Sequence, residues 1–319
     1  PASPLEIKTM LFVHVLEIVI PVFTIILLGF GLKRLAVIDD HFLAFANRLV
    51  FLVCLPALLF FKIGTADFFT AFNPPLILGC ILGTLLGFLH SYVHGVVYRY
   101  PSAVKGAFCQ AAFRGNLAYM GLAVIYYAYG EEGLTRGSLV IGFLVPLLNV
   151  LSVFALAWPH KADHHLGIRY WIRQIGLNPL LLASVLGVAW SLASIPMPTI
   201  LQRSLDILTG MTLPLALLAI GAGFSIEKIR GDTVRVLLAC TIKLVLMPLL
   251  TYGILRALGV QGIDLAIGLL LAASPTAAAS YIMSDQMRGD VVLTGSIIMV
   301  STLFSCVTYT ALLLALSVL

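Results

Sequence analysis

Gln110-Ala-Ala-Phe-Arg114-Gly115-Asn116-Leu-Ala-Tyr-Met-Gly121 and Ala272-Ala-Ser274-Pro275-Thr276-Ala-Ala-Ala-Ser280-Tyr281 are the two stretches whose reading decides the fold. Each sits inside a long apolar run, and each carries residues that a continuous helix rejects. Pro275 lacks an N–H, and its ring opposes the carbonyl of Leu271. Ser274, as the residue before a proline, is disfavoured in a helix. The expected outcome is a new half-helix with Ser274 as its N-cap and Pro275 as its first residue. In the earlier stretch Gly115 can end one half-helix in a left-handed conformation and Asn116 can cap the next. Open amide groups at such starts attract anions. In lipid they are tolerable only around a protein-lined cavity.

The surrounding chain supplies the membrane. Of 319 residues 61% are hydrophobic and 10% charged, against about 25% charged in soluble domains. An apolar excess of that size cannot be buried in a core this small. Ten runs reach bilayer length: 10–32, 41–63, 76–98, 103–129, 138–158, 179–195, 200–224, 234–258, 263–287 and 291–319. The fold class expected is therefore all-α and integral to the membrane. The segment 1–8 is short and mixed, and the run from Met10 exceeds a signal-peptide core, so no cleavable signal is expected. The connector 159–178 holds Trp171, Ile172 and Ile175 beside Arg169 and Arg173, the pattern of a short amphipathic helix on the bilayer surface. Its His160, His164 and His165 read as a solvated loop rather than a metal site.

The +5 net charge does not imply nucleic acid, because the cations are dispersed between apolar runs. Lys8, Lys62, Arg136, Arg203 and Arg256 fall on the side of the N-terminus. Lys33, Arg34, Arg48, Arg99, Lys105, Lys161, Arg169, Arg173, Lys228, Arg230, Arg235 and Arg288 fall on the other. The richer side is expected to be cytoplasmic, with both termini outside a cell inner (plasma) membrane. The five cysteines (Cys54, Cys80, Cys109, Cys240, Cys306) lie in apolar runs without a CxxC, so no metal and no redox centre is expected. No HExxH, GxSxG, Walker motif or paired intramembrane carboxylate is present, which argues against an enzyme and against direct ATP coupling. No cofactor is implied.

An internal repeat organises the ten runs. Pro21 and Pro179 stand 158 positions apart, as do Pro56 and Pro214, and Ser138 and Ser296. Residues 1–158 and 179–319 thus form two five-span units. Five is odd, so the second copy enters the membrane inverted, an arrangement typical of secondary transporters. The repeat pairs the two interrupted stretches with each other and sets Asn116 against Ser274.

Arg114 lies about eleven residues inside its run, roughly 16 Å at helical rise. A charge there is functional by default, and its planar fork suits a carboxylate. A structural ion pair or carbonyl cap is the competing reading. Gln110, Arg114, Gly115, Asn116, Ser274, Pro275, Thr276 and Ser280 are the candidate substrate-binding residues. Lys243, Asp206 and Glu17 are candidates for coupling. Lys243 can carry a proton or neutralise carbonyls at the break. Asp206 stands 158 positions after Arg48, so the two can pair across the repeat axis.

The sequence resembles the auxin efflux carrier family. The likeness rests on Pro21…Leu28-Gly29, Leu55-Pro56-Ala57-Leu58, Phe113-Arg-Gly-Asn116…Gly121 and Ser274-Pro275-Thr276, in that order and spacing. It covers nearly the whole chain. The resemblance implies ten spans in two inverted repeats with crossed broken helices in spans four and nine. It implies a scaffold of spans one, two, six and seven, and a transport domain of spans three to five and eight to ten that moves elevator-fashion. It further implies a small organic anion as substrate, bound beside the crossover at Asn116 and Pro275, and a homodimer. Plant members carry a proline in the first crossover too, where this chain has Gly115-Asn116, and the family motif does not account for Arg114. The function expected is proton- or potential-driven efflux of carboxylates or auxin-like acids. A sodium-coupled symporter of the bile-acid type and a non-transporting membrane receptor are the alternatives. The lack of an acidic residue at either break disfavours the sodium reading.

Overall fold

The computed structural model describes residues 4–158, 176–225 and 232–317, and among them all regular structure is helical. Eleven principal helices follow in order: α1 Pro4–Arg34, α2 Asp40–Gly64, α3 Pro74–Val97, α4 Ser102–Phe113, α5 Leu117–Ala157, α6 Pro179–Leu192, α7 Thr199–Ala222, α8 Thr233–Ala257, α9 Gly262–Ala272, α10 Ala279–Gln286 and α11 Val291–Leu316. Seven of them (α1, α2, α3, α5, α7, α8 and α11) are long and apolar enough to cross a membrane. The others are shorter because the chain leaves helical geometry in both stretches quoted at the outset, and because α6 runs only from Pro179 to Leu192. The amphipathic segment and the histidines expected in 159–175, like Lys228 and Arg230, lie outside the described residues.

The outer face is apolar. Leu27 is 65% exposed, Ile207 79% and Ile200 84%. A surface of this kind is stable against hydrocarbon and a liability in water.

Prolines shape the long helices without ending them. Pro56 and Pro248 both follow a widened, five-residue π turn. There the Leu55 N–H reaches the Val50 carbonyl and the Met247 N–H reaches that of Ile242. The wider turn makes room for a ring that would otherwise strike the carbonyl four residues back. α5 bends at Gly130, whose φ of 58° and ψ of −147° need a residue without a Cβ.

Two helix pairs pack most extensively, α1 on α7 and α2 on α6. They repeat one another in detail. A Cβ on Gly29 would overlap the Leu218 backbone, and one on Gly187 would press on Ile63 and the Phe60 carbonyl. Gly187 and Leu218 each stand 158 residues beyond their counterparts, Gly29 and Phe60. The Thr212 hydroxyl donates to the carbonyl of Cys54, again 158 residues away, at 3.3 Å.

A second kind of contact joins α3 to α8. Gly79, Gly83 and Gly87 form a ridge at four-residue spacing, and Leu255, Thr251 and Met247 lie against them in turn. Between helices in lipid no hydrophobic force assists association, so close approach through small residues carries the packing. At one end of the bundle α3, α5 and α9 are stapled through Asp264. It accepts from Asn73 Nδ2 at 2.7 Å and from Arg136 Nη1 at 2.9 Å.

Gly83→Leu, which forces a branched side chain against Thr251, is expected to destabilise the detergent-purified protein by about 1–3 kcal/mol. Gly31→Ala, where nothing lies within 4 Å of a new Cβ, is the control and is expected not to destabilise. Thermal unfolding of both variants distinguishes close packing at the α3–α8 seam from a general intolerance of larger residues.

Candidate functional site

Both interrupted stretches adopt extended backbone, and they pair. Gly115 and Thr276 form an antiparallel bridge. The Asn116 N–H donates to the Pro275 carbonyl at 2.7 Å, and the Ala277 N–H donates to the Arg114 carbonyl at 3.0 Å. This differs from the expected caps. Gly115 is not left-handed, since the glycines with positive φ among the described residues are Gly130, Gly259 and Gly262. Its missing Cβ serves close approach instead, because a Cβ there would overlap Ser274 Oγ and lie 3.3 Å from Lys243 Cε. Nor does Pro275 begin a helix. Residues 274–278 stay extended or turned, and α10 starts at Ala279. Pairing with the opposite break satisfies the backbone across this segment, which a half-helix starting at Pro275 would not do.

The surrounding polar groups hold that crossing in place. Ser274 Oγ donates to the Leu271 carbonyl at 2.7 Å and closes the end of α9. Thr276 donates its hydroxyl to Ala111 O at 2.7 Å and its N–H to Ser301 Oγ at 3.1 Å. Lys243, buried in the widened turn of α8, donates to the Ala272 carbonyl at 2.6 Å. A cation at the C-terminal end of a half-helix meets the negative end of its dipole. Gln110 donates to Met283 Sδ and accepts from Ser284 Oγ, each at 3.3 Å, between α4 and α10. The fully buried Ser280 Oγ has no hydrogen-bond partner.

On one side of the crossing lies a cavity of about 1040 Å³. Its wall includes Asn47, Arg48, Arg114, Asn116, Tyr119 and Asn149. Of the sequence candidates, Arg114, Gly115 and Asn116 reach this wall, while Ser274, Pro275, Thr276, Gln110 and Ser280 lie behind it. Asn116 occupies the N-cap position of α5 but makes no side-chain cap. Its backbone carbonyl accepts from Met120 and Gly121 N–H, each at 3.1 Å, and the residue forms part of the cavity wall. Leu117, Ala118 and Tyr119 at the start of α5, and Ala277, Ala278 and Ala279 at the start of α10, complete that part of the wall. Two helix N-termini therefore border one space, although at α10 the Ser280 and Tyr281 N–H groups are already bonded to the Ala277 and Ala278 carbonyls.

Arg114 is held from behind. Its Nη1 donates to Ser152 Oγ at 2.8 Å and to Leu148 O at 3.3 Å, and its Nη2 to Asn149 Oδ1 at 2.7 Å. All three partners are neutral oxygens of α5, so the guanidinium is oriented and its charge is not cancelled. Among the described residues, the cavity wall contains two arginines and no aspartate or glutamate. Lys243 lies outside this wall and borders a void of about 20 Å³ on the far side of Gly115. Glu17 and Asp206 are exposed and stand apart from both spaces, with His14 as the neighbour of Glu17 at 3.8 Å. No ion pair joins Asp206 to Arg48.

Asn47, Tyr119 and Asn149 were missed in reading the sequence. Asn149 and Ser152 did leave a trace, as polar residues three apart on one face of an apolar run.

A helical membrane protein whose broken helices cross beside a large, mostly apolar cavity with a few polar groups has the build of a solute transporter. The chain belongs to the membrane transport protein family, that of the auxin efflux carriers, which matches it twice, over residues 14–161 and 159–313. It is 28% identical over 299 residues to an "Uncharacterized transporter" of Methanothermobacter thermautotrophicus, covering 93% of this chain and 97% of the relative. It is 26% identical over 300 residues to a "Putative malonate transporter" of Rhizobium meliloti, covering 93% and 94%.

Arg114→Ala removes a charged fork from three acceptors and is expected to lower stability by about 2–3 kcal/mol. Arg114→Lys is expected to restore only part of the loss, since an ammonium cannot reproduce the planar fork. Thermal unfolding in detergent measures both.

Proposed function

We propose that this protein is a secondary transporter of small organic anions, carboxylates foremost, working by alternating access. The observation that carries the reading is the crossing. It brings Asn116 and the α5 N-terminus to the wall of a cavity that, among the described residues, holds two arginines and no carboxylate. Such a wall favours a negative solute and gives a cation no acidic ligand. The printed name of the Rhizobium relative points to the same class of solute.

In this reading residues 1–158 and 179–319 are two inverted five-span repeats joined by 159–178, and the chain crosses the membrane ten times. The 158-residue spacing of the Gly29–Leu218 and Phe60–Gly187 contacts supports it, as does the double family match. Helices α1, α2, α6 and α7 form the scaffold. Helices α3–α5 and α8–α11 carry the crossing and slide against it. The cavity reaches Arg48, on the side that this reading assigns to the cytoplasm from the cation count. At the far end of α2, fourteen residues or about 21 Å along the axis, Lys62 Nζ pairs with Glu131 Oε2 at 2.6 Å and joins scaffold to moving helices. One side open and the other latched is the pattern of an inward-facing state. Both termini then face outward from the plasma membrane. With no acid at the crossing, a proton or the membrane potential is the driving force, and Lys243 is the group best placed to respond.

Purified protein in liposomes is expected to exchange labelled small carboxylates and to leave neutral solutes of equal size behind. Equal leak of every solute would identify a pore, and saturable binding without flux a receptor. Asn116→Ala removes an amide with no internal partner. It is expected to slow carboxylate exchange about tenfold, the value of one charge-assisted hydrogen bond, without shifting the unfolding midpoint.

A further inference from the structure

Arg48 lies in the first half of α2. It is exposed, lines the cavity, and forms no ion pair among the described residues. The acids nearest it in sequence are engaged elsewhere. Asp39 caps the start of α2 through the Phe42 N–H at 2.6 Å, and Asp40 pairs with Lys33 at 2.7 Å. Both lie eight or nine residues before Arg48, about 12 Å away along the helix.

A contact of its neighbour places Arg48 near the crossing in this state. The carbonyl of Asn47 accepts from the Tyr119 hydroxyl at 3.5 Å. Tyr119 stands three residues after Asn116, slightly less than one helical turn. The stem of Arg48 therefore starts one phenol ring and one turn from the Asn116 amide, across the same water-accessible space. Unlike Arg114, whose fork is occupied by three oxygens of α5, Arg48 has no acceptor for its donors among the described residues.

We propose that Arg48 is a specificity-determining residue that receives the second carboxylate of a short dicarboxylate whose first carboxylate sits at Asn116 and the α5 N-terminus. The assignment rests on the anion-transport reading above. The guanidinium fork matches a carboxylate bidentately. A monocarboxylate of the same chain length can occupy the first position and leaves the fork to water. The two anchors also belong to different parts of the molecule, α2 on one side and the α4–α5 break on the other, so a diacid bridges them in the cytoplasm-facing state.

Isothermal titration of the purified full-length protein with malonate and with propionate, both three-carbon acids, tests the assignment. The wild type is expected to bind malonate at least tenfold more tightly. Arg48→Gln is expected to lower that preference about tenfold by weakening malonate, and Arg48→Lys to give an intermediate value. The unfolding midpoint of each variant is measured alongside, and a folded Arg48→Lys with an intermediate preference supports the proposal even if Arg48→Gln does not fold. Equal weakening of both acids in Arg48→Gln, or none, overturns the role of Arg48 and leaves anion transport standing. A wild type that binds propionate as tightly as malonate overturns the two-carboxylate site alone. Binding of neither acid overturns this proposal, and absence of carboxylate exchange in the liposome assay overturns the reading beneath it.

Discussion

A chain that leaves helical geometry inside hydrocarbon exposes N–H and C=O groups that lipid cannot satisfy, at several kcal/mol each. Here two breaks answer each other through reciprocal bonds, Asn116 N–H to Pro275 O and Ala277 N–H to Arg114 O. Neither break is tenable alone. Pro275 contributes only its carbonyl, which is what a proline can give, and Gly115 lets the strands close because it brings no Cβ against Ser274. The remaining polar side chains of the region follow from that crossing. Ser274, Thr276, Ser301 and Lys243 each bond to backbone groups released by the end of a half-helix or by the extended segment.

The same constraint sets the electrostatics. Ending α9 leaves carbonyls, and Lys243 meets them. Starting α5 leaves amides, and among the described residues no carboxylate lines the cavity there. Arg114 adds a charge that three neutral oxygens orient without neutralising it. The backbone thus divides the roles, with cation against carbonyl ends behind the crossing and open amides with arginine facing the cavity. Lys243 completes the first arrangement; an anion is the proposed complement of the second.

Much of this was legible in the sequence because it depends on residue types with few uses. Proline and glycine within an apolar run marked both breaks to the residue, and the 158-residue spacing of Pro21 and Pro179 anticipated the matched packing of Gly29 and Gly187. What the breaks do internally was not legible. Ser274-Pro275 has the local chemistry of a helix start, and only a partner strand 159 to 161 residues away in sequence, at residues 114–116, makes it extended. Local propensity yields to a nonlocal hydrogen-bond pair wherever the alternative is an unsatisfied group in a low dielectric. The distinction between Asn116, which faces the cavity, and Gln110, which is folded between α4 and α10, is likewise a matter of helix rotation. Six positions of separation do not determine it once extended residues intervene.

The packing also indicates where the molecule can yield. In the α1–α7 and α2–α6 pairs glycine brings backbone against backbone or branched side chain, and a small displacement there meets steep repulsion. Between α2 and α5 the polar contacts are of another kind: a lysine with a largely exposed glutamate, and a phenol at 3.5 Å from a carbonyl. Exposed pairs of this type contribute about 0–1 kcal/mol, and the cavity removes apolar contact along the same seam. Relative motion is therefore cheapest between α2 and the α4–α5 break, both of which border the cavity.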